Sequence, residues 1–189
     1  MTAIDPLLRE IPEWIETERL QLRAPESGDG AALNESIRAS QTHLSAWMPW
    51  AQTVPTVEES EVNVRRAKAR FILRQELRYH LWLQPEGRFV GCVGMHNPDW
   101  RIPALEIGYW IDVRYEGQGL IAEAIEALVE MALRDMGVRR LAIRCDAHNL
   151  RSQAVPLRLG FELEATLRND DVAIDGSGLR DTFVFVRLQ

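Results

Sequence analysis

Between Glu106 and Ala124 the chain reads E-I-G-Y-W-I-D-V-R-Y-E-G-Q-G-L-I-A-E-A, and this stretch constrains the fold more than any other. Ile107 to Val113 has strand composition, Gly117 and Gly119 interrupt it, and an amphipathic helix opens directly after the second glycine. The first turn of a helix leaves its N–H groups without intrahelical partners. The helix dipole adds about half a positive charge at the same end. Glycine permits positive φ and lets a ligand approach the backbone closely. A strand that delivers such a turn to a helix is an anion-cradling junction, suited to a phosphate or pyrophosphate.

The flanking sequence places that junction inside one α/β unit. Ile121, Ala124, Ile125, Leu128, Val129, Ala132, Leu133 and Met136 fall on one helical face, closed by Gly137. Val138 to Cys145 then reads as a strand, so strand, helix and strand form a right-handed crossover between parallel strands. Upstream, Glu18 to Arg23 alternates as a strand, and Ser27 or Asp29 caps a helix through Ile37. Thr56-x-x-Glu59 is a capping box that opens a helix to about Tyr79. His80–Leu83 and Arg88–Met95 are hairpin strands around Pro85-Glu86-Gly87. Downstream come a helix from Asn149 to Leu159, a strand from Phe161 to Leu167, an Asp/Gly-rich hairpin, and a last strand from Arg180 to Leu188. Residues 1–17, with Pro6 and Pro12, read as a loose arm or short helical turn, and residues 18–189 as a single domain. The expectation is a mixed α/β (α+β) domain of about seven strands and four to five helices.

Composition narrows the classes of function. With 28 acidic against 22 basic residues the net charge is −6, which argues against nucleic acid and suits an amine-bearing substrate. Cys92 and Cys145 sit in apolar strand-like runs without CxxC spacing and read as reduced core thiols. None of the 4 histidines has an H-x-x-x-H spacing, so no metal is expected. There is no leader-like N-terminus and no apolar run of membrane-spanning length, so the expected setting is cytoplasmic and not membrane-bound.

Other phosphate loops do not fit. No Lys-Ser or Lys-Thr follows the glycines as a Walker loop requires. A dinucleotide fold would place its turn early and follow it with a second βαβ half. Arg114-x-x-Gly117-x-Gly119 instead matches the pyrophosphate motif [QR]-x-x-G-x-[GA] of the Gcn5-related N-acetyltransferase (GNAT) superfamily. Asn149, Ser152 and Leu159-Gly160-Phe161 resemble a second superfamily segment, with Pro156 where a tyrosine is frequent. L-S-A-W-M-P-W, E-I-G-Y-W-I, E-G-Q-G-L-I and N-L-R-S-Q-A-V-P-L-R-L-G-F-E-L-E resemble the RimJ/RimL-type ribosomal-protein N-acetyltransferases.

The resemblance implies a GNAT sheet, mostly antiparallel, with a central splayed parallel pair. It implies acetyl-CoA as donor and direct transfer to a primary amine, on a small molecule or a protein N-terminus. The CoA pyrophosphate falls to Arg114, Gly117, Gln118, Gly119, Leu120 and Ile121, and the pantetheine and thioester to the strand bearing Ile111 and Val113 and to Asn149. Ser152 matches the serine near the CoA sulfur in RimL-type enzymes, a general acid. Asp171 falls near an acid that accepts the amine proton in some of them, and Glu106 either acts as a base through water or orients Tyr109 or an arginine. Trp47 and Trp50 either plug the core or line the substrate cleft. A homodimer is expected on the same ground. Two alternatives stay open: a CoA-binding module without turnover, or an acyltransferase using another donor such as succinyl-CoA.

Overall fold

The computed structural model describes residues 5–189. Its strands are β1 (Trp14–Glu16), β2 (Leu20–Arg23), β3 (Leu77–Leu83), β4 (Arg88–Asp99), β5 (Ala104–Ile111), β6 (Arg140–Asp146), β7 (Glu162–Val172) and β8 (Leu179–Leu188). They form one sheet in the order β1-β2-β3-β4-β5-β6-β8-β7. Every adjacent pair is antiparallel except β5–β6. The helices are α1 (Gly30–Leu44), α2 (Val57–Ile72), α3 (Leu120–Glu130) and α4 (Leu150–Arg158).

The two sheet faces are covered by different helices. Leu33 and Ile37 of α1 and Val64 of α2 pack with Phe89 and Cys92 of β4. On the other face α3 buries Leu120, Ile121, Ala124, Ile125, Leu128 and Val129, the predicted apolar stripe. Burial of each such large aliphatic chain contributes roughly 1.5–3 kcal/mol, so α3 is held by packing more than by propensity. Its last turn widens into a π turn, Met131–Asp135, before Gly137 at φ 64° ends it.

The parallel pair sets up the site. β5 and β6 are in register from Ala104↔Arg140 only to Ile107↔Ile143. Beyond that point each strand keeps its outer partner: β5 stays with β4 to Gly91↔Ile111, and β6 stays with β8 to Asp146↔Thr182. The inner edges of Gly108–Ile111 and Arg144–Asp146 separate, which is the expected splay.

Several boundaries differ from the sequence reading. The sheet has eight strands rather than seven, because Trp14–Glu16 inside the expected arm pairs with β2. Three residues are too short to show alternation, and residues 1–4 of that arm lie outside the described residues. α1 runs to Leu44 rather than Ile37. α2 stops at Ile72 rather than near Tyr79 because Leu77, Tyr79 and Leu81, buried on alternate positions, belong to β3. The capping box of α2 forms as expected, with Thr56 and Glu59 exchanging side-chain and backbone hydrogen bonds. β7 extends to Val172, so Asp171 is a strand residue paired with Arg180 rather than part of a hairpin loop.

Candidate active site

The glycine turn is anchored by a carboxylate that the sequence reading passed over. Asp112 is fully buried where β5 ends. It accepts from the Arg114 N–H at 2.9 Å, from the Arg114 guanidinium, and from the Ser36 hydroxyl of α1 at 2.8 Å. Burial pushes its carboxyl upward, but the Arg114 and Ser36 hydrogen bonds outweigh that and hold it below the usual range. Val113 is therefore not in the strand. It starts a 3-10 turn, and its N–H donates to Ser40 Oγ at 2.9 Å. The N–H groups of Tyr115 and Glu116 donate to the carbonyls of Asp112 and Val113.

The backbone donors of Val113 and Arg114 are thus used internally, which takes the Val113 N–H out of the strand edge expected to hold the pantetheine and the Arg114 N–H out of the expected cradle. The Arg114 guanidinium is likewise committed, to Asp112 and to Glu35 at 3.0 Å. The available donors begin at Gly117. Gly117 and Gly119 sit at φ 72° and 79°, values a Cβ would strain, and Gly119 is the N-cap of α3. Its carbonyl takes the first helical bond, from Glu123, so the amides of Leu120, Ile121 and Ala122 stay without intrahelical partners. The Arg19 guanidinium braces the turn by donating to the Gln118 carbonyl at 2.9 Å while paired with Glu123. Arg158 of α4 lies 3.9 Å from the point a Gly119 Cβ would occupy, so two cations flank the turn.

These groups line one end of a groove of about 640 Å³. Along it run Tyr109, Trp110 and Ile111 of β5, Asn149, Ser152 and Val155, and Trp47. Asp112 donates its N–H to Val90 on β4. The alternation of a strand turns the N–H groups of Ile111 and Tyr109 to the opposite, splayed edge. Glu116 closes the rim, accepting from Arg151 of α4 at 2.7 Å and lying 2.6 Å from His43 of α1.

Ser152 is held by three contacts. Its N–H donates to the Asn149 side-chain oxygen at 3.0 Å, so Asn149 acts as a helix cap while still lining the groove. Its carbonyl would normally accept the N–H of residue 156, but Pro156 has none. Tyr109 fills that gap: its hydroxyl donates to the Ser152 carbonyl at 2.9 Å and lies 3.0 Å from Ser152 Oγ. The proline that departs from the superfamily segment and the tyrosine on β5 are therefore two halves of one arrangement. Burial raises the Tyr109 hydroxyl well above its ordinary pKa, with the Ser152 contact acting the other way, so it stays protonated. Cys145 neighbours Ser152, and burial pushes its thiol up to about 11.

A second cavity, of about 550 Å³, opens on the other face of β4 and β5. α1 and α2 wall it with Leu33, Ile37, Glu59 and Asn63, and Trp50, His96, Gly108 and Arg78 line it further. Met48, Tyr109 and Trp110 line both cavities, so the two meet across β5. Trp50 packs on Trp110 at 5.9 Å between ring centroids. Trp47 and Trp50 are thus cavity residues rather than core plugs, one on each side.

A family profile described as "Acetyltransferase (GNAT) domain" matches residues 19–162. The chain belongs to the GNAT acetyltransferase family. It is 30% identical over 164 residues to the putative ribosomal N-acetyltransferase YdaF of Bacillus subtilis, covering 84% of this chain and 86% of that one. It is 28% identical over 160 residues to the ribosomal-protein-serine acetyltransferase of Escherichia coli, covering 84% and 88%. A structure described as RimL, the ribosomal L7/L12 alpha-N-protein acetyltransferase in complex with coenzyme A, superposes with a TM-score of 0.86 at 25% identity, covering 93% and 98%. The chain is an acetyl-CoA-dependent N-acetyltransferase of RimJ/RimL type.

The groove fits that donor by its own chemistry. Free backbone amides at a helix N-terminus, positive-φ glycines and two flanking arginines suit a pyrophosphate. An unpaired strand edge suits an amide-bearing arm, and a hydroxyl lies near the splay. Of the other two expected catalytic residues, Asp171 stands apart from the site and Glu106 sits beside His96 at the border of the second cavity. Asp171 lines neither cavity and is paired with Arg180 at 2.7 Å. The Val172 N–H and Arg180 hold its carboxyl below the usual range, the wrong direction for a base. Glu106 also lies outside both linings, with its carboxylate accepting from Asn97 at 3.2 Å. Among the described residues no cluster of three or more His, Cys, Asp or Glu is placed to hold a metal, and no helix is long and apolar enough to cross a membrane.

Proposed function

We propose that this acetyltransferase modifies the N-terminal amine of a protein, and that acetyl-CoA and acceptor enter from opposite faces of β5. The observation that carries this is the pair of cavities meeting at Tyr109 and Trp110. The second cavity combines an aromatic wall of Trp50, Tyr109 and Trp110 with the polar groups of Glu59, Asn63, Glu76 and Arg78, which suits an extended peptide end. The names of the relatives, a ribosomal-protein-serine acetyltransferase and a putative ribosomal N-acetyltransferase, point the same way.

In this reading the amides from Gly117 to Ile121 receive the pyrophosphate. The N–H groups of Tyr109 and Ile111 receive the pantetheine arm and the thioester carbonyl, where hydrogen bonds to a developing oxyanion contribute a few kcal/mol. Asn149 offers its amide nitrogen to the same arm, and Trp47 packs beside it. Ser152 Oγ gives its proton to the departing CoA sulfur, with Tyr109 holding the hydroxyl in place. Trp50 and Trp110 grip the acceptor chain.

The test is thiol release from acetyl-CoA with peptides ending in free Ser or Ala, against the same peptides blocked at the α-amine. Release only with free ends, together with addition of one acetyl group to the N-terminal residue, is expected. Turnover confined to small free amines would refute the peptide reading, and equal turnover of succinyl-CoA would refute the donor preference.

A further inference from the structure

We propose that His96 is the group that takes the proton from the attacking amine, an inference that rests on the acetyl-transfer reading above. His96 lies on β4 opposite Glu106 of β5, on the sheet face that floors the second cavity, and it lines that cavity. Its ring crosses over Gly108: Nε2 is 3.3 Å from where a Gly108 Cβ would stand, so a side chain there would crowd the ring. Gly108 is the first β5 residue beyond the last paired position with β6, and Tyr109, shared by both cavities, is next. The imidazole therefore overlies the mouth of the splay from the acceptor side.

The ring is oriented for a base. Nδ1 is 3.0 Å from the Glu106 carbonyl, and a carbonyl only accepts, so Nδ1 carries the proton of the neutral ring. Nε2 is left with its lone pair. The Glu106 carboxylate lies 3.9 Å from Nε2 and is held by Asn97 Nδ2, so it stabilises the imidazolium once formed. The backbone is irregular beside it. The β4–β5 register shifts between His96 and Asp99, and Asn97 adopts φ 51°, the kind of local strain that gathers at functional positions. Glu106 thus acts through its carbonyl and its charge, as a positioning residue. The other charged groups on the cavity are Glu59 of α2 and the ion pair of Glu76 with Arg78 of β3.

The step balances. The neutral amine forms the C–N bond to the thioester carbon, the C–S bond breaks, and the nitrogen proton passes to His96 Nε2. The sulfur leaves with the Ser152 proton. His96 then releases its proton to solvent, and Ser152 regains one.

The experiment measures thiol release with acetyl-CoA and a peptide ending in free serine, for wild type, His96→Gln and His96→Ala, across pH, with CoA affinity by calorimetry. Loss of a general base predicts that kcat/KM of His96→Gln falls about a hundredfold and keeps only the acidic limb set by the peptide's own α-amine, with CoA affinity unchanged. Added imidazole partly restores His96→Ala, which a merely structural role would not allow. Gly108→Ala, which crowds Nε2, lowers kcat/KM about tenfold with the same CoA affinity, and covers the case of an unfolded His96 variant. Wild-type rate and pH profile in His96→Gln, or in Gly108→Ala should the His96 variants not fold, overturn the assignment to His96 alone. Absence of peptide-dependent release in wild type overturns the acceptor reading and this proposal together.

Discussion

The two sides of β5 recognise their ligands by different means. On the α3 side the groove is made of backbone: a left-handed glycine turn, the first amides of a helix and an unpaired strand edge. On the α1–α2 side the cavity is made of side chains drawn from five separate elements (α1, α2, β3, β4 and β5) and the segment between α1 and α2. A backbone site needs glycines and a helix start at fixed spacing, and tolerates almost any side chain around them. A side-chain site depends on which distant residues the fold brings together. The first suits a donor shared by a whole family, and the second an acceptor that varies from member to member.

Asp112 belongs to both sides, since it ties the glycine turn to α1. Replacing it breaks the comparison altogether. Asp112→Ala leaves the Ser36 hydroxyl and the Arg114 guanidinium without their shared partner, a loss of about 3 kcal/mol, the low end for a buried pair because Arg114 is partly exposed. Denaturant unfolding checks this. The pH dependence has a definite sign: the folded carboxyl sits below its unfolded value, so its contribution is full above about pH 4 and lost as pH falls further. Asp112→Asn should flatten that acid limb.

Ser152→Ala acts on the donor side only. Removing a proton donor to the leaving sulfur lowers kcat about a hundredfold while CoA binding by calorimetry is unchanged. Equal loss of binding would make Ser152 a ligand contact instead.

How much of this was legible in the sequence follows from the same contrast. The glycine turn and the α3 stripe were readable because each is a local pattern along the chain, and the splayed pair because the family resemblance implies it. Gly117 to Ile121 needed only spacing. Asp112, Tyr109 and His96 were not readable, since their roles come from partners 76, 43 and 10 residues away. Pro156 was visible as a departure from a family segment, but its meaning required Tyr109 to be found beneath it. Asp171 misled because Asp/Gly-rich sequence reads as a loop, whereas pairing with Arg180 makes it strand and fixes its charge.

That coupling sharpens the comparison at smaller amplitude. Tyr109→Phe strips the Ser152 carbonyl of its donor and destabilises by about 1–2 kcal/mol, with a matching fall in kcat. In a Pro156→Ala background the helix N–H returns and the Tyr109→Phe penalty shrinks, a non-additivity read by a double-mutant cycle. Trp50→Ala produces the smallest effect, raising KM for the peptide about tenfold with CoA affinity intact, as loss of one aromatic anchor does.

The division between the two faces of β5 is tested most directly by amide NMR of the labelled protein titrated with CoA and then with a serine-ended peptide. CoA should shift Tyr109, Ile111 and Gly117 to Ala122, and the peptide should then shift Trp50, Gly94, His96 and Gly108. CoA shifts centred on Gly94 and His96, with Gly117 to Ala122 unmoved, would contradict it.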